Sequence, residues 1–171
     1  MKNKIFLLLL FCSMMLNSCI TTHSIKGSYN IVKETTTKTP YDEVWSKVID
    51  FFAENSVPIG TISKESGLIT ANNVYFGNDV VCIENYKGIP ESPTAWFVLP
   101  YNQRAIDGRV SCSFNVRIKP TEKGETYIGV NIGYVVGYYD IMNLNNIIKS
   151  IEPQDAVSTG LFEISLLRRF K

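Results

Sequence analysis

The chain has 171 residues, 17 Lys and Arg against 16 Asp and Glu, one histidine and four cysteines. So even a balance leaves no surplus of positive charge for a phosphate backbone, which excludes the strongly basic nucleic-acid-binding class. The length suits one domain with a real core, without metals or many disulfides to staple it.

Lys2 and Lys4 give the N-terminus a positive end, and residues 5–16 are apolar apart from Ser13. This is the pattern of a secretory leader. An apolar run of about 12 residues is short of the roughly 20 that a bilayer-spanning helix needs. Four successive leucines followed by Phe11 also lack the polar face that a surface helix or strand would carry. The leader closes on Leu16-Asn17-Ser18-Cys19, which resembles the lipobox of bacterial lipoproteins. That resemblance implies cleavage before Cys19, a diacylglycerol on its thiol and an acylated amine, so the partner at this end is a membrane. It places the protein in the bacterial cell envelope, lipid-anchored at the outer membrane and facing the periplasm or the surface. An ordinary secreted protein with a chance cysteine is the competing reading. Removing residues 1–18 leaves 153 of 171, and the loss of Lys2 and Lys4 leaves 15 basic against 16 acidic side chains.

Residues 19–38, rich in Thr, Ser and Lys, read as lipid anchor and flexible tether, with an edge strand expected around 29–33. Residues 39–171 read as a single domain. Thr39 offers an N-cap hydroxyl, Pro40 suits the first helical position, and Asp42 and Glu43 favour the positive end of the helix dipole. Val44, Trp45, Val48, Phe51 and Phe52 then recur every three to four residues as the buried stripe of a helix. Pro58 ends it by biasing Val57 away from helical geometry. Residues 58–62 and 68–71 read as a hairpin around a polar turn in which Gly67 takes a positive φ. Asn72-Asn73 breaks that pattern, and β-type composition resumes at 74–76 and 80–83 around Gly77-Asn78-Asp79.

After a loop with Gly88, Pro90 and Pro93, residues 96–99 make a short apolar run, and 101–108 read as a loop or a hairpin end. The alternation is clearest at Val110, Cys112, Phe114, Val116 and Ile118. After a turn at 120–125 the partner strand places Ile128, Val130, Ile132, Tyr134 and Val136 on one side. Glycines 129, 133 and 137 mark twist or a close approach. Residues 138–151 fit either a loop or a short helix. A last helix starts near Ser158 or Thr159 and runs to Phe170. The fold expected is α+β: two layers, a mostly antiparallel sheet with an N-terminal and a C-terminal helix on one face.

Chemistry is harder to place. His23 sits in the tether, which removes the usual general base and the commonest zinc ligand from the domain. Cys82 and Cys112 fit either a disulfide or two separately buried thiols. Pairs such as Asp79 with Glu84 or Asp107 with Glu91 would serve a glycan-cleaving enzyme, but each is equally at home as a solvated turn residue. No catalytic residue, metal ligand or cofactor is therefore assigned. Trp96, Tyr101, Arg104, Asp107, Arg109, Tyr138 and Tyr139 are the candidate contact residues.

The Thr39-Pro40-Tyr41 opening, the aromatic helix, the Lys64-Glu65-Ser66-Gly67-Leu68-Ile69 turn and strand, and the Thr159-Gly160 start of the last helix resemble the helix-and-hairpin module of small bacterial envelope lipoproteins. One member of that group is an accessory of the outer-membrane β-barrel assembly machinery. The resemblance implies a binding or scaffolding module with no cofactor, and the partner expected is another envelope protein or a cell-wall or lipid component of the envelope. Two alternatives stand beside it. One is an enzyme acting on envelope glycans or peptides, and the other a self-associating structural lipoprotein that pairs strand edges around 29–33 or 136–139.

Overall fold

Alternating apolar side chains at 110, 112, 114, 116 and 118 make the strand around which the fold is built. The computed structural model describes residues 24–142, 147–149 and 153–171; the leader, Cys19 and His23 lie outside them. The described elements run β1 (Glu34–Thr37), α1 (Tyr41–Glu54), β2 (Thr61–Ser63), β3 (Leu68–Phe76), β4 (Val81–Ile83), β5 (Phe97–Leu99), β6 (Ala105–Pro120), β7 (Thr126–Met142), β8 (Ile147–Lys149), β9 (Gln154–Asp155), β10 (Val157–Ser158) and α2 (Leu161–Leu167), with a closing 3-10 turn at Arg168–Phe170. The chain is thus α+β, a mostly antiparallel sheet with two helices. The main sheet has the order β1-β7-β6-β3-β2, with β8 and β9 also on β7; a smaller sheet has the order β10-β5-β4.

β6 and β7 form a long hairpin closed by Thr121, whose backbone N–H and hydroxyl both donate to the Glu125 carbonyl, at 2.8 and 3.1 Å. Val110, Cys112, Phe114, Val116 and Ile118 are buried, while Asn115, Arg117 and Lys119 face solvent. α1 lies against the buried row through Val44, Trp45, Val48, Phe51 and Phe52. Phe52 stacks on Phe114 with ring centroids 4.8 Å apart, and Phe51 and Phe114 both meet Phe162 of α2, at 5.5 and 6.1 Å. Truncating one such ring to alanine would cost about 3–5 kcal/mol.

Thr39 does not cap α1. Pro40, extended at φ −58° and ψ 148°, occupies the cap position without a side-chain bond, and the first helical bond runs from the Val44 N–H to the Pro40 carbonyl. The Thr39 hydroxyl turns instead to that of Thr37, 3.0 Å away. At the other helix Gly160, at φ +87°, is the cap. The expected residues still act there: Ser158 Oγ accepts from the Gly160 N–H and donates to Glu163, while Thr159 Oγ1 accepts from the Leu161 N–H and donates to the Ala95 carbonyl.

Asn72-Asn73 does not end its strand. Ala71 pairs with Phe114 and Val74 with Cys112, so β3 carries an extra residue there, with Asn73 left-handed at φ +55°. This is a β-bulge. β7 bulges opposite the same stretch of β6, where Ser113 pairs with Gly133 but Ser111 with Val136, and Tyr134 sits at φ +52°. Both neighbours of β6 therefore slip beside Ser113. Beyond the slip the parity of β7 reverses. Tyr134 is exposed, Val136 joins Ser111 on the outer face, and Gly137 and Tyr139 turn inward.

That reversal lets the far half of the hairpin pack on the small sheet. Leu99 lies between Gly108 and Gly137, and a Cβ on Gly137 would come within 2.7 Å of its Cδ2. Of the three spaced glycines, Gly137 is the one a neighbouring element requires; nothing lies within 4 Å of a Cβ built on Gly133.

After Gly77 the chain passes to the small sheet, where β4 runs parallel to β5. Strands this short and this apolar, such as Phe97-Val98-Leu99 with all three residues buried, carry no alternation to reveal their pairing. Residues 138–142 continue β7, with 140–142 paired to β8, in place of a loop or helix; residues 143–146 and 150–152 lie outside the described part. The span read as tether joins the fold from its middle onward. β1 forms at 34–37 and not at 29–33, pairing with β7 from Glu34–Gly129 to Thr37–Thr126. At the other edge named for self-pairing, β9 pairs with Val136 and Gly137.

Candidate functional site

The outer face of β6 and β7 turns away from the aromatic core. Cross-strand pairing sets Arg117 beside Gly129, Asn115 beside Asn131, Ser113 beside Gly133, Ser111 beside Val136, Arg109 beside Tyr138 and Asp107 beside Asp140, all on this face. Tyr75 of β3 is the other neighbour of Ser111. The two bulges put tyrosines at its middle: Tyr134 is 88% exposed and Tyr75 73%. A left-handed φ on a bulky side chain costs roughly 1–2 kcal/mol. Tyr134 bears that cost while packing little of its ring. Toward β1 the face opens a hollow of about 240 Å³ lined by Lys33, Glu34, Asn115, Arg117, Tyr127 and Asn131, with the Tyr127 hydroxyl donating to Glu34 at 2.8 Å.

The residues expected to make contacts separate into three groups. Asp107, Arg109 and Tyr138 share the outer face. There Arg109 reaches diagonally to Asp140 at 2.8 Å, and its Nε has no acceptor among the described residues. The Asp107 carboxylate accepts from the Gly108 N–H at 2.7 Å. Tyr101 and Arg104 stay exposed in the loop before β6. Tyr139 is a correction: it points inward, is buried, and donates to the Pro100 carbonyl at 2.5 Å. Burial, with the Glu84 and Asp155 charges behind it, holds its phenol above the usual range. Trp96 is half-buried against Phe76 and Phe162, at 5.8 and 5.1 Å, so it closes the core.

Cys82 and Cys112 are separate thiols, on β4 of the small sheet and β6 of the main one. The Cys82 thiol turns to the Ser92 carbonyl at 3.9 Å. Burial pushes both thiols up, Cys112 to about 12 with Glu163 adding to the effect, which suppresses the reactive thiolate.

Two acids are buried. Glu163 takes a hydrogen bond from Ser158 at 2.9 Å, and burial raises its pKa. Glu84, 0% exposed, accepts from the N–H groups of Lys26 and Gly27 at 3.0 and 2.8 Å and from the Tyr29 hydroxyl at 3.0 Å. Burial and this carboxylate hold the Tyr29 phenol above its ordinary range. Sequence reading missed this clasp, which joins residues more than 50 positions apart. It also missed the tyrosine pair, whose only trace was Asn72-Asn73 and the change of phase after Gly133. Among the described residues no group of three or more His, Cys, Asp and Glu could hold a metal ion. No described helix is long and apolar enough to cross a membrane.

Fold and site together define an α+β domain with one sheet face displayed and its buried acids spent on internal donors. No protein-family model, no curated protein and no solved structure matches the chain.

Proposed function

We propose that the protein is a non-catalytic binding domain of the bacterial cell envelope, anchored by lipid on Cys19, whose partner is another envelope protein. In this reading the two helices form one layer behind the sheet, and the outer face of β3, β6 and β7 is what the domain presents. The observation that carries it is Tyr134. An aromatic residue held at positive φ and 88% exposed is poorly explained by folding alone, whereas tyrosines are favoured anchors at protein interfaces. Tyr75, across β6 on the same face, is a second exposed ring, and the exposed Asn115 and Arg117 side chains along that face add the polar surround that such anchors use. Against the enzyme alternative, Glu84 and Glu163 turn oxygens to internal donors.

Site-specific photo-crosslinkers at 75 and 134, with a control at Asp50 on α1, test this in intact cells. The reading expects one common adduct from 75 and 134 and none from 50. Equal, diffuse labelling from all three would overturn it.

A further inference from the structure

We infer that the turn at 85–89, together with Lys26, rests on the anionic headgroup surface of the bilayer that holds the acyl chains. This rests on the anchored reading above. Glu84 grips the chain at Lys26 and Gly27, and Lys26 stands seven positions after Cys19. Even fully extended, that stretch reaches about 25 Å, at roughly 3.6 Å per residue. The clasp therefore removes most of the slack that a free tether through residue 38 would have given. The part of the domain beside the tether's exit is the turn itself: Lys26 Nζ donates to the Tyr86 carbonyl at 3.2 Å.

The grip is close because two glycines meet. A Cβ on Gly27 would come within 2.9 Å of the Gly88 carbonyl, and one on Gly88, at φ +79°, within 2.7 Å of the Lys26 Cβ. The turn is also tightly organised. The Asn85 side-chain oxygen accepts from the Lys87 and Ile89 N–H groups at 2.9 and 3.1 Å, and the Asn85 N–H donates to the Ile89 carbonyl at 2.8 Å. This geometry holds Tyr86 and Ile89 outward, 62% and 55% exposed, with the Lys87 ammonium 5.5 Å from the Tyr86 ring centre. An aromatic with a polar tip, an aliphatic side chain and two lysines are the residue types that settle at a headgroup layer. The lysines add attraction to anionic lipid. The exposed acid nearest in sequence is Glu91, just past the turn.

The test uses the acylated full protein in phosphatidylethanolamine and phosphatidylglycerol vesicles carrying a diazirine phospholipid, read by flotation and by peptide mapping of the lipid adducts. Adducts are expected to concentrate on 24–29 and 85–89, several-fold above those on Tyr75 and Tyr134. With Lys26→Glu and Lys87→Glu combined, they should fall several-fold while flotation is unchanged. The clasp uses the Lys26 backbone, so the exchange leaves it in place, which near-UV circular dichroism checks. Adducts spread evenly, or centred on Tyr75 and Tyr134, would overturn the orientation while flotation still upheld the anchor. Failure of the acylated protein to float would remove the anchor, and the orientation with it.

Discussion

Replacing Glu84 with glutamine changes one oxygen of a buried carboxylate into an NH2 group and removes its charge. Oε1 serves both the Gly27 N–H and the Tyr29 hydroxyl, and Oε2 serves the Lys26 N–H. The better amide orientation keeps the oxygen on the first two donors and turns a donor toward Lys26. One charge-assisted hydrogen bond, worth about 1.5–3 kcal/mol, is then lost, and the other two weaken to neutral strength. Losing a buried charge returns part of its desolvation penalty, which leaves about 2–4 kcal/mol taken from the docking of 24–30 onto the domain. Because these bonds are local to one segment, the loss should appear there first. Native-state hydrogen exchange of the Lys26 and Gly27 amides should accelerate about 30- to 1000-fold, with a smaller change in the urea midpoint of the whole domain. Unchanged exchange at both amides in Glu84→Gln would refute the clasp.

Gly67→Ala meets a left-handed φ of +64° and a Cβ position 1.8 Å from the Ile118 carbonyl oxygen. Backbone must therefore move, and we expect a loss above about 2 kcal/mol by urea denaturation; a loss under half that would contradict the register of the β2–β3 hairpin against β6. Burial raises the folded pKa of Glu163. Its contribution to stability is thus full below the unfolded carboxylate value of about 4.3 and is lost as pH rises through the raised folded value. The stability of Glu163→Gln relative to the unmodified protein should accordingly increase between pH 4 and pH 7, and parallel urea curves at both pH values would argue against a buried carboxyl. Cys82 and Cys112 should resist iodoacetamide at pH 8 in the native protein and react together in guanidinium, with no prior reductant needed; a requirement for reductant would reveal a bridge. Tyr134→Asn suits the left-handed region better and should leave stability unchanged or raise it by up to about 1 kcal/mol, while abolishing the crosslink from position 75. A clear destabilisation would make Tyr134 a structural residue.

The helix over Tyr41–Glu54 and the hairpin of β6 and β7 were legible because each repeats its period over many residues. Val44 to Phe52 and Val110 to Ile118 bury the face their spacing predicts. Parity fails where one extra residue enters a strand. The bulges at Asn73 and Tyr134 reverse the expected facing of everything beyond them, which is why Tyr139 goes inward and Tyr134 out. β4 and β5 were beyond reach for another reason: three apolar residues fit a strand in any sheet, and it takes tertiary contacts, such as Leu99 lying between Gly108 and Gly137, to show where they dock. The Glu84 clasp joins a carboxylate to backbone N–H groups, and a backbone donor leaves no mark on composition. Of the candidate contacts, Asp107 and Arg109 stand two apart on β6, whereas Tyr138 joins them only through the register of β7, which sequence spacing does not show. Trp96 and Tyr139 were misassigned because an aromatic beside a turn looks the same from sequence whether it closes a core or faces a partner.

Crosslinking from position 134 in living cells tests the central claim most directly. With a photoreactive residue there, the account predicts one discrete adduct with an envelope protein, shared with position 75 and lost when Cys19→Ala keeps the domain from its membrane. The same adduct from the Cys19→Ala protein, or none from position 134 in the acylated one, would contradict it.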